Sequence, residues 1–141
     1  MSGRPSLGFG MRHVALFTQD LQKSLHFYVD LLGMEIEWQP DEQNYYLTSG
    51  GDNLALHQAS STQARDELTQ RLDHIGFFMD SAEEVDEWFV WLKSHDVKMR
   101  TEPRTHRDGA RSFYCYDPDG TVVQMIHHPP ITDWEKLSGV N

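Results

Sequence analysis

Arg12-His13-Val14-Ala15-Leu16-Phe17-Thr18-Gln19-Asp20-Leu21 is the stretch on which the reading of this chain turns, because the chain states it twice. The second copy is Asp73-His74-Ile75-Gly76-Phe77-Phe78-Met79-Asp80-Ser81-Ala82. In both, a His opens a short run of β-branched and aromatic residues, and a small polar or acidic cluster and an amphipathic segment follow. A repeat of this size decides architecture before any single motif does. The chain therefore reads as two copies of one module, with His13 and His74 at equivalent places.

Working outward from the first copy, His13 to Thr18 alternates as a strand, with Val14, Leu16 and Thr18 on one face and His13, Ala15 and Phe17 on the other. Asp20 suits a helix N-cap, and Leu21, Leu25, Tyr28 and Leu32 form a helical stripe that ends at Gly33. Met34 to Gln39, Tyr45 to Ser49 and Leu54 to Gln58 read as strands, separated by turns at Pro40 to Gln43 and Gly50 to Asn53. The first module is β-α-β-β-β. A polar linker, Ala59 to Arg71, precedes the second. There Leu72 to Met79 is a strand, Ser81 caps a helix with Glu84 three residues on, and Val85, Trp88, Phe89 and Leu92 make its stripe. Val97 to Arg100 reads as a short strand, Thr101 to Ala110 as a loop, and Arg111 to Tyr116 and Thr121 to His127 as the closing strands. The predicted fold class is α+β, with two βαβββ modules, 12–58 and 72–128, forming one domain over 12–128. Residues 1–11 and 129–141 are read as tails, with Trp134 and Leu137 able to pack back on the surface.

The 141 residues suit one such domain. A hydrophobic fraction of 38% supplies a core, and no apolar run approaches the ~20 residues of a membrane span. Cys115 is the one cysteine, so no internal disulfide can form, which fits a reducing cytoplasm. The formal net charge of −10 argues against nucleic acid or an anionic membrane as partner. The chain holds no Gly-rich phosphate loop, no nucleophile elbow, no Cys-x-x-Cys pair and no His-Glu-x-x-His helix.

The repeat leaves four ligand-capable side chains, His13, His57, His74 and Gln124. His57 and Gln124 each follow a turn aspartate, Asp52 and Asp119, by the same interval. Neutral imidazole is the commonest ligand for zinc, iron, nickel and copper, and an amide oxygen can join it. Ala55 lies on the same face as His57 and competes with it for the equivalent place. The adjacent pair His127-His128 cannot serve one ion, since neighbours in a strand point to opposite faces.

The doubled pattern, the Arg12-His13-Val14 and Asp73-His74-Ile75 openings, Phe27-Tyr28-Val29-Asp30-Leu31-Leu32-Gly33-Met34, and Phe113-Tyr114-Cys115-Tyr116-Asp117-Pro118-Asp119-Gly120 together resemble the vicinal oxygen chelate superfamily. That group includes glyoxalase I, extradiol dioxygenases and the fosfomycin- and bleomycin-resistance proteins. The resemblance implies an open barrel, commonly a homodimer, whose inner face holds a divalent ion (Fe, Zn, Mn or Ni) that chelates two oxygens of a small substrate. It implies His13, His74 and Gln124 as metal ligands, with His57 a fourth, and His57 or Tyr114 as candidate catalytic groups. Gln124 departs from the family pattern, which has Glu there; a neutral amide binds a cation more weakly and cannot serve as a base. The basic stretch Arg100, Arg104, His106, Arg107 and Arg111 would suit an anionic substrate, although most of these arginines are expected to balance surface carboxylates. The alternative function is a non-catalytic small-molecule binder with an apolar cleft lined by Trp38, Tyr46 and Phe113.

Overall fold

The computed structural model describes residue 4 and residues 10–60 and 72–130. Most of the expected linker, and the C-terminal tail with Trp134 and Leu137, lie outside the described residues. The chain divides into two compact units, Met1–Thr62 and Gln63–Asn141, each holding one module.

In the first unit the elements are β1 (His13–Thr18), α1 (Leu21–Leu25), a π-helical turn (His26–Leu31), β2 (Glu35–Asp41), β3 (Asn44–Thr48) and β4 (Asn53–Gln58). They form a sheet of order β1-β4-β3-β2, with β1 parallel to β4 and the other pairs antiparallel. Asp20 caps α1 as expected, its carboxylate accepting from the Lys23 amide at 3.2 Å. Gln58 ties the helix start to β4 by accepting from the Leu21 amide at 3.0 Å and donating to the Gln19 carbonyl at 2.8 Å. A buried hydroxyl pair, Thr18 and Ser24 at 2.6 Å, joins β1 to α1.

The helix departs from the expected stripe. Its last turns widen, with the Leu32 amide reaching the Phe27 carbonyl five residues back at 3.0 Å. The wider turn brings the adjacent Phe27 and Tyr28 both into the core, with Leu21 and Leu31, while Leu25 and Leu32 are only half-buried. Gly33 closes the helix at φ 87°. β2 runs two residues longer than the alternation suggested, through Pro40 and Asp41, and its pairing with β3 slips between Ile36 and Trp38 and again between Trp38 and Asp41.

The second unit contains β5 (Ile75–Phe78), α2 (Ala82–Ser94), β6 (Arg104–Thr105), β7 (Arg111–Tyr116) and β8 (Val122–His127), in the order β5-β8-β7-β6. Ser81 caps α2, its hydroxyl accepting from the Glu84 amide at 3.2 Å. Val85 and Leu92 of α2 are fully buried with Phe113, Cys115, Val123 and Met125 on one side of this sheet. Phe89 meets Phe113 edge to face at 5.3 Å.

The strand expected at Val97 to Arg100 reduces to a single bridge, Met99 to Cys115. The amides of Arg100 and Thr101 both donate to the Tyr114 carbonyl, at 2.8 and 3.1 Å, and two successive amides aimed at one acceptor kink the chain and end the ladder. Pairing resumes inside the expected loop, where Arg104 and Thr105 meet Ser112 and Arg111.

Candidate metal centre

The first sheet has one face against its helix and one face with its polar and aromatic side chains. Register puts His13 beside Asn53, Ala15 beside Ala55 and Phe17 beside His57, so these six share that second face. Tyr46 beside Ala55, Asn44 beside His57, and Trp38 beside Tyr46 extend it across β3 and β2. His13 is exposed, with Nδ1 2.8 Å from Asn53 Oδ1. Asn53 Nδ2 in turn donates to Glu37 Oε2 at 3.1 Å. His57 is half-buried, with Nδ1 2.6 Å from Asn44 Oδ1. The Phe17 and Tyr46 rings flank it at 6.1 and 5.9 Å, and Trp38 stacks on Tyr46 at 5.0 Å.

In the second sheet, Gly76 lies beside Gln124 and Gln124 beside Tyr114, across β5, β8 and β7. His74 immediately precedes β5, and its ring meets that of Tyr114 edge-on at 5.3 Å. His74 Nδ1 is 2.6 Å from the Asp73 carboxylate. A Cβ at position 76 would meet the Gln124 side-chain amide (Oε1) at 3.7 Å and the Gln124 carbonyl oxygen at 3.4 Å, ordinary van der Waals contact. Among the described residues that amide makes no hydrogen bond.

The two registers revise the internal repeat. Stepping from His13 to Ala15 along β1 reaches Ala55 on its neighbour, and stepping from His74 to Gly76 reaches Gln124. Ala55, not His57, is therefore the counterpart of Gln124. His57 sits two residues further along the same face, roughly 7 Å on at the usual strand rise. Counting from the turn aspartates misled because β4 begins at Asn53, one residue after Asp52, whereas β8 begins at Val122, three residues after Asp119.

Within each unit, no three described His, Cys, Asp or Glu side chains gather into a metal-holding cluster. The first unit offers His13 and His57, and the second offers His74 with Gln124. These donors fit a divalent ion chemically: each His has Nδ1 engaged by an oxygen, leaving Nε2 as the ligating nitrogen, the arrangement typical of metal-bound imidazole. Asn53, Asn44, Glu37 and Asp41 escaped the sequence reading because the partners they join lie on different strands. The one available signal was the period of two that puts Asn44 on the face of Tyr46.

One other expectation changes: Phe113 is fully buried, edge to face with Phe89 of α2, and so offers no surface to an apolar cleft. Arg111 gives Nε and Nη2 to Asp86 Oδ1, at 3.0 and 2.8 Å, and Nη1 to Thr105 at 2.9 Å, so it joins β7 to α2 and balances a carboxylate, as expected for most of the basic stretch. Arg100, Arg104, His106 and Arg107 are exposed. His127 faces the Met79 carbonyl at 3.1 Å, whereas the His128 ring lies 6.3 Å from Phe78. No helix among the described residues is long and apolar enough to cross a membrane.

A family model described as the glyoxalase/bleomycin resistance protein/dioxygenase superfamily matches residues 10–125. The chain is 34% identical over 117 residues to the metallothiol transferase FosB of Staphylococcus saprophyticus, covering 82% of this chain and 74% of the relative. It is 29% identical over 123 residues to the fosfomycin resistance protein FosX of Listeria monocytogenes, covering 82% of this chain and 87% of that one. Among solved structures, a glyoxalase/dioxygenase from Nostoc punctiforme shares the fold at a TM-score of 0.74 and 23% identity, over 92% of this chain and 99% of that chain.

Proposed function

Because the chain belongs to the glyoxalase/bleomycin resistance protein/dioxygenase superfamily, whose members generally use divalent metal ions on small molecules, we propose that it is a metal-dependent enzyme acting on a small oxygenated substrate. His13, His74 and Gln124 are the proposed ligands, through Nε2, Nε2 and Oε1. The observation that carries this reading is the shared posture of His13 and His74, whose Nδ1 atoms meet oxygens at 2.8 and 2.6 Å. The ion, when bound, supplies Lewis-acid polarisation of substrate oxygens.

The chain's own groups divide the remaining work. Asp73 and Asn53 orient the two imidazoles. All three ligands are uncharged, so they leave the cation's charge to be offset by the substrate, which favours an anionic molecule. Tyr114, next to Gln124 in register, offers its hydroxyl to a substrate oxygen. His57, out of register with Gln124, is assigned as an acceptor for a substrate hydrogen rather than as a fourth ligand. The metallothiol transferase relative supports group transfer as the reaction class, and the fosfomycin-resistance relative supports a small antibiotic-like molecule as its target. We further propose a homodimer working in the reducing cytoplasm.

A second reading is a non-catalytic binder. Its support is the ring wall of the first sheet, where Phe17 is 77% and Trp38 58% exposed, together with the neutral Gln124. Metal content separates the two. Protein purified without chelator or tag metal should carry about one divalent ion per chain, and His74→Ala should lose it. Gln124→Glu should hold the ion more tightly. Wild type that carries no metal, and takes up none of iron, zinc, manganese or nickel, overturns the enzyme reading and leaves the binder.

A further inference from the structure

Two rows of polar side chains cross the first sheet from its β2 edge, one ending at His57 and the other at the proposed ligand His13. In one, Asp41 on β2, Asn44 on β3 and His57 on β4 are neighbours in register. Asn44 Nδ2 donates to both Asp41 oxygens, at 2.8 and 3.0 Å, and Asn44 Oδ1 lies 2.6 Å from His57 Nδ1. In the other, Asn53 Nδ2 donates to Glu37 Oε2 at 3.1 Å and Asn53 Oδ1 lies 2.8 Å from His13 Nδ1.

We propose that Asn44 and Asn53 are positioning residues that transmit the acceptor character of Asp41 and Glu37 to His57 and His13, locking each neutral imidazole in the tautomer with its proton on Nδ1. An ionised carboxylate can only accept hydrogen bonds. An amide beside it must therefore turn its NH2 group toward it, which decides between the two orientations that an amide's shape leaves open. Its oxygen then faces the ring nitrogen and can only accept. Nδ1 must supply the hydrogen, and a neutral imidazole has one to give. Nε2 keeps the lone pair on both rings. The same chain of constraints runs twice on one sheet, from two different carboxylates through two different asparagines.

The consequence differs between the rings. At His13 the lone pair sits on the nitrogen that ligates the ion, so this role rests on the metal reading. At His57 it makes Nε2 a fixed acceptor between the Phe17 and Tyr46 rings, suited to a ligand that carries an O–H or S–H group beside an apolar body. A His without such a partner divides between tautomers, and the molecules protonated on Nε2 present a donor to that ligand instead.

The test uses the metal-free full chain, so its outcome is independent of metal uptake. Long-range proton–nitrogen correlation spectra at about pH 8, above the ordinary imidazole range, report which ring nitrogen is protonated. Wild type should show Nδ1–H at His13 and His57. Asn44→Leu should lose that form at His57 alone, and Asn53→Leu at His13 alone. Asn53→Asp, a direct carboxylate acceptor, should restore it. Backbone amide spectra of each variant check that the sheet is intact. Glu37→Gln removes the demand for a donor while leaving Asn53 in place, and should mix the tautomers of His13. Wild-type rings protonated on Nε2, or tautomers unmoved in the Leu variants, overturn the proposal. A chain that shows the predicted tautomers yet takes up no metal overturns the metal reading and leaves this one standing.

Discussion

Cys115 lies in mid-strand on β7 with no exposed surface, and burial, with the Asp117 carboxylate second, pushes its thiol up from 9.0 to about 12. The folded state thus holds this proton more tightly than the unfolded chain does. The stability this contributes is complete below pH 9.0 and is lost as the pH climbs toward about 12. A thiol reagent at neutral pH should leave native Cys115 unlabelled and modify it fully in denaturant. The urea midpoint should fall as the pH rises beyond the unfolded thiol's range, and a Cys115→Ala chain should lack that component of the decline. The same placement removes Cys115 from any thiol chemistry at the site.

At the scale of elements, capping and alternation carry most of the structure. Ser81 caps the α2 start through its side chain, so Ser81→Ala should cost about 1 kcal/mol, read as a lower urea midpoint at unchanged slope. Asp20, Ser81, Gly33 and the alternating strands were legible because each rests on local chemistry. The widened turn at His26–Leu31 was not, since a 3.6-residue period gives no warning of an inserted residue; the adjacent rings of Phe27 and Tyr28, both buried, are its only trace. The end of the expected Val97 to Arg100 strand was also hidden, because it depends on which carbonyl of β7 the amides of Arg100 and Thr101 find. For the candidate site, the equivalence of His13 and His74 was legible from the repeat, which also singled out Gln124. The place of His57 was not, since register along β4 is decided by pairing with β1 and β3, and a count from Asp52 carries no information about either. That most arginines of the basic stretch would balance carboxylates was expected, but the particular partner of Arg111 was out of reach, since Asp86 lies on α2, twenty-five residues away in the chain.

At the scale of the whole molecule, each unit has its own helix-backed core, Leu21, Tyr28, Leu47 and Leu56 in one and Val85, Leu92, Phe113 and Met125 in the other. Phe17, Ile36 and Trp38 of the first unit stay exposed, as does Phe78 of the second, an unusual apolar display for a chain whose net charge is −10. The proposed homodimer gives these side chains a partner. Sedimentation equilibrium should return twice the 16.4 kDa chain mass, and Trp38→Ser should shift the balance toward the single chain. A single-chain mass at micromolar concentration would sink the dimer without touching the metal reading.

The irregular pairing of β2 bears on how such a chain survives at high concentration. An outermost strand normally offers a row of open amides and carbonyls on which another molecule's strand can grow, the first step toward fibrils. Here Pro40 removes one donor from that row, and the two slips against β3 spoil its spacing on either side of Trp38. The strand that supplies Glu37 and Asp41 to the face is thereby a poor template for its own kind.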